Sequence, residues 1–180
     1  MLKQFIRKIF ELYIDYVNSL QTTRERMWRK FKYHFRMLPV RIKNWFICLK
    51  YPWLAVDSSI YPWFDCKYDK IWIDCMPYGW KKRFGWDLIH DIHAYLKKYN
   101  IKYYHIEQVK EKWGELRWYD NLGSSFYENV FKKYEQLSRK TCVNCGEQAT
   151  LISSGWICPY CANCAKEIQS KNPNKKFVQI

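Results

Sequence analysis

Apolar residues return at helical spacing from the first residues of the chain. Leu2, Phe5, Ile6, Ile9, Leu12, Tyr13, Tyr16, Val17 and Leu20 trace one face of a helix over 2–20. Thr22 with Glu25 three residues later has the form of a capping box, which starts a second helix. That helix should stop before Pro39, because proline disfavours helical geometry in the residue preceding it. Its faces separate: Trp28, Phe31, Phe35 and Leu38 make one stripe, and Arg26, Arg29, Lys30, Tyr33 and Arg36 the opposite one. A third helical piece is expected from Pro39 to just before Pro52.

Residues 51–80 are irregular and rich in rings, with Tyr51-Pro52-Trp53 echoed by Tyr61-Pro62-Trp63. Within them 70–75 reads as a short strand. A helix follows from Gly85 to Tyr99, with Ile89, Ile92, Leu96 and Tyr99 as its apolar stripe and Asn100 as its C-terminal cap. Strands are expected over 103–111 and 115–120, joined by Lys112-Trp113-Gly114, with glycine where the turn needs a positive φ. Ser125 and Glu128 form a second capping box, and the helix they start runs to about Ser138 with Phe126, Val130, Phe131, Tyr134 and Leu137 on its apolar face. The stretch Lys171-Asn-Pro-Asn-Lys-Lys reads as a polar, mobile tail.

Charge changes this picture at the N-terminus. The 180 residues carry a net charge of +14, and residues 1–50 hold twelve Lys or Arg against Glu11, Asp15 and Glu25. Such a balance favours an anionic partner: nucleic acid, a nucleotide, an anionic lipid or an acidic protein face. The stripe of Arg26, Arg29, Lys30, Tyr33 and Arg36 is the candidate contact surface, with arginine and lysine on phosphates and the tyrosine ring stacked on a base. A solvated helix face accounts for the same stripe, and a helix lying on a membrane is a third possibility. No run of apolar residues is long enough to span a bilayer, and charges interrupt the start of the chain where a secretory signal would be apolar. Eight cysteines in such a chain fit a reducing cytoplasm and metal thiolates better than disulfides.

The cysteines are clustered. Cys142-Val-Asn-Cys145 is followed by Cys158-Pro-Tyr-Cys161-Ala-Asn-Cys164, which offers five thiols for the four places of a tetrahedral zinc site. The second pair is either Cys158 with Cys161 or Cys161 with Cys164. Spacing favours Cys161 and Cys164, which leave a loop of about 15 residues after Cys145. Ala162 onward reads as a short helix, so the order of knuckle, hairpin and helix-borne pair is that of a treble clef, with one structural zinc per chain. Cys48, Cys66 and Cys75 have no ligand spacing and read as buried thiols.

The run Gln108-Val-Lys-Glu-Lys-Trp-Gly-Glu-Leu-Arg-Trp-Tyr119, a helix, Ser138-Arg-Lys-Thr-Cys-Val-Asn-Cys145-Gly, and then Trp156-Ile157 before Cys161 and Cys164 resembles a group of small phage-encoded proteins of uncharacterised function. Their pattern is QVKEKFGxLRFY, a helix, S-x-x-T-C-x-x-C-G and a closing W-I-x-x-x-C-x-x-C. The resemblance covers about residues 79–165 and implies that Cys158 is the odd cysteine out. It also implies action inside an infected bacterium, on the host's machinery or defences.

Other chemistry is thin. His90 and His93 share a helix with Asp87 and Asp91, but ordinary surface ion pairs explain them. Lys110, Lys112 and Arg117 on the hairpin could grip a phosphate, with ion pairs to Glu111 and Glu115 as the plainer account. No catalytic residue is assigned. The expectation is an α+β chain with four parts: a basic helical arm over 1–50, a helix–hairpin–helix core over 51–140, a zinc module over 141–168 and a tail over 169–180. Its expected function is to bind nucleic acid or a nucleic-acid-handling host complex. The alternatives are an anti-defence protein that sequesters a signal nucleotide or blocks a defence protein, and a small nuclease.

Overall fold

The computed structural model describes residues 2–56 and 68–180, and within the first helix the side chains of 13–16 and of 19 onward. The echoed Tyr61-Pro62-Trp63 and Cys66 lie outside the described residues. The fold is mixed, helices with two small sheets, and the chain divides into two compact units, 1–43 and 44–180.

One helix, α1 (Leu2–Lys50), replaces the three pieces expected. Thr22 does not cap a new start. The hydroxyls of Thr22 and Thr23 both donate back to the Ser19 carbonyl, at 2.9 and 2.8 Å, as threonines inside a helix do. Pro39 lies within the helix rather than beyond its end. It forfeits one backbone hydrogen bond, but the turn it crowds is the exposed one at Phe35, where water can take the freed carbonyl. Among the described side chains of 13–43, none is buried.

The second unit begins with the last turns of α1, which bury Asn44 and Cys48; Asn44 Nδ2 donates to the Tyr68 carbonyl at 2.9 Å. The expected strand at 70–75 is a 3-10 turn, Trp72–Cys75. Asp74 is the reason: its carboxylate accepts the Ile71 N–H at 3.1 Å while its own N–H reaches the Ile71 carbonyl at 2.8 Å, curling the backbone. Only Ile71 makes a strand-like bridge, to Ala55. Cys75 is half-buried, against the burial expected of it.

Helical turns then run from α2 (Tyr78–Trp80) through a π-helical turn (Lys81–Gly85) into α3 (Trp86–Lys98). The helical stretch thus starts earlier than Gly85. Leu88, Ile89, Ile92 and Leu96 enter the core; Tyr99 does not, and instead lies exposed beside Tyr95. Asn100, at φ +51°, ends the helix as expected, with the Ile101 N–H on the Leu96 carbonyl at 2.9 Å.

Strands β1 (Ile106–Lys112) and β2 (Glu115–Asp120) form the antiparallel hairpin. Trp113 and Gly114 both take positive φ, +56° and +79°, as a two-residue turn of the right twist requires. Next come α4 (Ser124–Phe126), a π-helical turn (Tyr127–Phe131) and α5 (Lys132–Arg139). The second capping box is absent here as well. Ser125 lies inside the first turn, with its carbonyl taken by Asn129 Nδ2 at 2.7 Å, and Glu128 pairs with Lys132. Phe126, Val130, Phe131 and Tyr134 fill the core against Trp118 and Phe84, and buried Ser138 accepts the Leu116 N–H at 2.9 Å, fixing α5 to β2.

The C-terminal part holds β3 (Leu151–Ser153), β4 (Pro159–Tyr160), α6 (Ala162–Lys171) and β5 (Phe177–Gln179), with strand order β4-β3-β5. The tail expected to be mobile therefore supplies an edge strand, held by its pairing with β3 and by Phe177 set edge-on to Tyr160 at 5.5 Å.

Gly79 joins the two halves of this unit. Its N–H donates to the Val143 carbonyl at 2.8 Å, and a Cβ there would lie 2.1 Å from the Cys142 carbonyl oxygen and 2.6 Å from the Gly146 nitrogen. Both obstacles are backbone, so neither can swing aside. Gly79→Ala is expected to cost about 3 kcal/mol or more, lowering Tm by about 6–12 °C in thermal denaturation. A Tm within about 2 °C of wild type would show the contact to be dispensable.

Candidate functional site

The knuckle after α5 is built by backbone bonds. Cys142 N–H donates to the Glu147 carbonyl at 2.8 Å, Gly146 N–H returns to the Cys142 carbonyl at 3.1 Å, and Gly146 takes φ +85° to close the turn. Val143 N–H reaches the Pro159 carbonyl at 3.0 Å, tying the knuckle to β4. At the other end of β4, Cys161 caps α6: its sulfur accepts the Cys164 N–H at 3.4 Å, and Cys164 lies in the first turn.

These two ends converge. The sulfurs of Cys142, Cys145, Cys161 and Cys164 all lie within 4.8 Å of one another, and Cys145 and Cys161 are 3.6 Å apart. A metal with four thiolates at about 2.3 Å holds its sulfurs about 3.8 Å apart, so the donor set fits one tetrahedral ion. Burial disfavours a Cys142 thiolate, but N–H groups of Cys161, Cys145 and Asn144 outweigh it and hold that thiol below its ordinary pKa. Among the described residues this is the one group of three or more His, Cys, Asp or Glu whose ligand atoms converge.

Cys158 stays outside it. The residue is buried, its backbone locked to Ser153 by bonds in both directions, and burial followed by the Glu111 charge pushes its thiol up to about 11. It is therefore a neutral thiol near neutral pH. The choice of Cys161 and Cys164 as the second pair agrees with this geometry.

The histidines do not assemble a site. His90 and His93 flank the Tyr51 ring, at 6.3 and 5.1 Å between centroids. Asp91 faces α5 instead, accepting from Tyr134 Oη at 2.5 Å and pairing with Lys133; these bonds overcome its partial burial and hold its pKa low.

The hairpin cations divide. Arg117 is not available for a phosphate: its guanidinium spans Glu115 at 2.5 Å and Glu135 at 2.8 Å, and Arg139 closes the cluster on Glu115 at 2.8 Å. Beside the pair of Arg117 and Glu115 within β2, the ion pairs join strand to helix rather than strand to strand, because Lys110 lies opposite Arg117 in the register and like charges repel. Burial works against the Glu135 carboxylate, but Tyr127 and Arg117 prevail and hold its pKa low. Lys110 hydrogen-bonds Gln108 and lies over the Tyr119 ring at 5.3 Å; Lys112 lies over Trp113 at 4.5 Å.

On α1, Arg26, Arg29, Lys30 and Arg36 are exposed. Tyr33 is a poorer stacking platform than expected: it is half-buried, edge-on to His34, and Arg41 lies 5.9 Å over its ring while also hydrogen-bonding His34. The opposite stripe of Trp28, Phe31, Phe35 and Leu38 is exposed too, its rings stacked on one another.

Three contributors were not evident from the sequence. Gly79 and Trp80 seat the knuckle, the latter through a 2.8 Å bond from its indole N–H to the Thr141 carbonyl. Glu111 holds the Gly114 N–H at 2.7 Å and the Trp156 indole at 2.9 Å, linking the hairpin tip to the loop before Cys158. The glycine early in a helical stretch was the available signal for the first.

A recess of about 450 Å³ beside the knuckle is lined by Arg83, Lys140 and Glu147 without an aromatic ring, so it lacks the stacking surface a nucleotide base needs. No helix among the described residues is long and apolar enough to cross a membrane. Comparison with protein-family models, with curated proteins and with solved structures finds no match to this chain.

The four-thiol geometry has a direct test. Purified protein is expected to carry one metal ion per chain; Cys161→Ser should lose it, and Cys158→Ser should keep it. Elemental analysis showing full metal in the Cys161 variant would remove Cys161 from the site.

Proposed function

We propose that this chain is a binding protein, without turnover of its own, in which a zinc-stapled module closes the core and the basic helix α1 engages a phosphate-bearing partner. Four thiolates suit zinc by softness and geometry, and they leave no coordination place for water or substrate, so the metal's part is structural. The order of knuckle, β3–β4 hairpin and α6 with Cys161 and Cys164 at its start supports a treble-clef reading of this module.

The observation that carries the functional reading is the state of α1 over 13–43. It is strongly basic, and none of its described side chains is buried. A helix draws most of its stability from packing an apolar face, and here the described apolar side chains of Trp28, Phe31, Phe35 and Leu38 are exposed and open to a partner. Phosphates match the cations. Nucleic acid, the partner expected from sequence, carries them, and so does a lipid surface. On the resemblance to small phage-encoded proteins, that partner is met in the cytoplasm of an infected bacterium. Sequestering of a signal nucleotide is the second reading: a recess of about 730 Å³ on α1 offers it the Trp28 and Phe31 rings and Arg24, but Glu25 in the same lining opposes a phosphate.

The charge test uses Arg26, Arg29, Lys30 and Arg36 replaced together by Gln, which preserves helix propensity. Against single- and double-stranded oligonucleotides, the variant should bind more weakly, with the slope of log affinity on log salt flattened by about 3 to 4. Equal affinities and equal slopes for the two proteins would reject these four side chains as a phosphate surface.

A further inference from the structure

We propose that the partner of α1 is an anionic lipid surface, on which the helix lies with its aromatic stripe in the acyl boundary and its cations among the headgroup phosphates. This rests on the phosphate-partner reading and narrows it. The first observation is the stripe itself. Leu20, Met27, Trp28, Phe31, Phe35 and Leu38 follow one another at helical spacing, and all are exposed; Phe35, Phe31 and Trp28 keep 72%, 59% and 56% of their surface. A partner touching only the basic face would leave these rings in water.

The second observation is charge. Residues 20–43 hold eight Lys or Arg against the single carboxylate of Glu25. A second copy of this chain could cover the stripe, but it would bring an equally basic helix alongside, and like charges beside an apolar seam oppose pairing. An anionic bilayer reverses that term: it attracts the cations and accepts the rings. Lys32 shows the border arrangement this needs. Its ammonium lies 5.3 Å from the centroid of the Trp28 ring, which sets a cation at the edge of the aromatic stripe, within reach of headgroup phosphates when the ring enters the acyl boundary. A nucleic acid would use the same cations but gains little from leucine and methionine side chains. That makes a lipid surface the occupant for which both faces are used.

The experiment is vesicle flotation of the full chain. Vesicles of phosphatidylcholine alone are compared with vesicles in which roughly a third is phosphatidylserine. Wild type should float with the anionic vesicles, and much less with the neutral ones. Phe31→Ser with Phe35→Ser should reduce that binding at least tenfold, while leaving salt-dependent binding to an oligonucleotide within twofold. Circular dichroism checks that the double variant keeps its fold, and Trp28→Ser provides an independent test of the same stripe.

Three outcomes overturn the inference: no flotation with anionic vesicles, full flotation of both aromatic variants, or a wild-type oligomer that the Phe31/Phe35 variant converts to monomer. Binding to oligonucleotide without binding to vesicles removes the lipid inference and leaves the phosphate-partner reading standing. Binding to neither removes both.

Discussion

Four cysteine sulfurs within 4.8 Å of one another make a group that could hold a metal ion, and in this chain much else is fastened to that point. The knuckle carrying Cys142 and Cys145 is gripped from one side by β4, through Val143 and Pro159, and from the other by the first helical turn of the core, through Gly79 and Trp80. The hairpin tip reaches the same module through Glu111 and Trp156. A metal at the four sulfurs would therefore do more than close a loop of about 15 residues. It would link segments from residue 79 to residue 164 through the knuckle and its backbone bonds.

What the sequence made legible follows from the range of each signal. Cysteine spacing is local chemistry with a fixed geometric meaning, so the ligand set could be read from Cys142, Cys145, Cys161 and Cys164 directly. The hairpin was legible for the same reason: Trp113-Gly114 between alternating strands sets its own turn. Punctuation inside helices was not. Thr22, Ser125 and Pro39 are residues that often sit at helix ends, yet Thr22 bonds back to the preceding turn, Ser125 lies inside a turn with its carbonyl taken by the Asn129 side chain, and an exposed turn tolerates Pro39. Which alternative wins depends on what lies around the helix, and a short motif carries no record of that. Arg117 failed as a phosphate contact because Glu135, eighteen residues away, sits beside it only after α5 has packed on β2.

The two units answer different demands. Among the described residues of 44–180, polar groups pair with one another, as in the ion pairs of Glu115, Arg117, Glu135 and Arg139 and the chain of bonds from Trp118 through Tyr104 to Asp120. Burial raises the Asp120 pKa, against the pull of the Leu122 N–H and the Tyr104 hydroxyl that it accepts. In 1–43 most of the described side chains are exposed, cations and rings alike, and none is buried.

The central claim is that the metal fastens the core through the knuckle, and amide hydrogen exchange before and after chelation tests it most directly. The account predicts that stripping the metal abolishes protection at Cys142 and Val143 and, across the contact, at Gly79, whose N–H is held by the Val143 carbonyl. Full protection at Gly79 and Val143 in the metal-free protein would contradict it, and would show that the knuckle is held by packing alone.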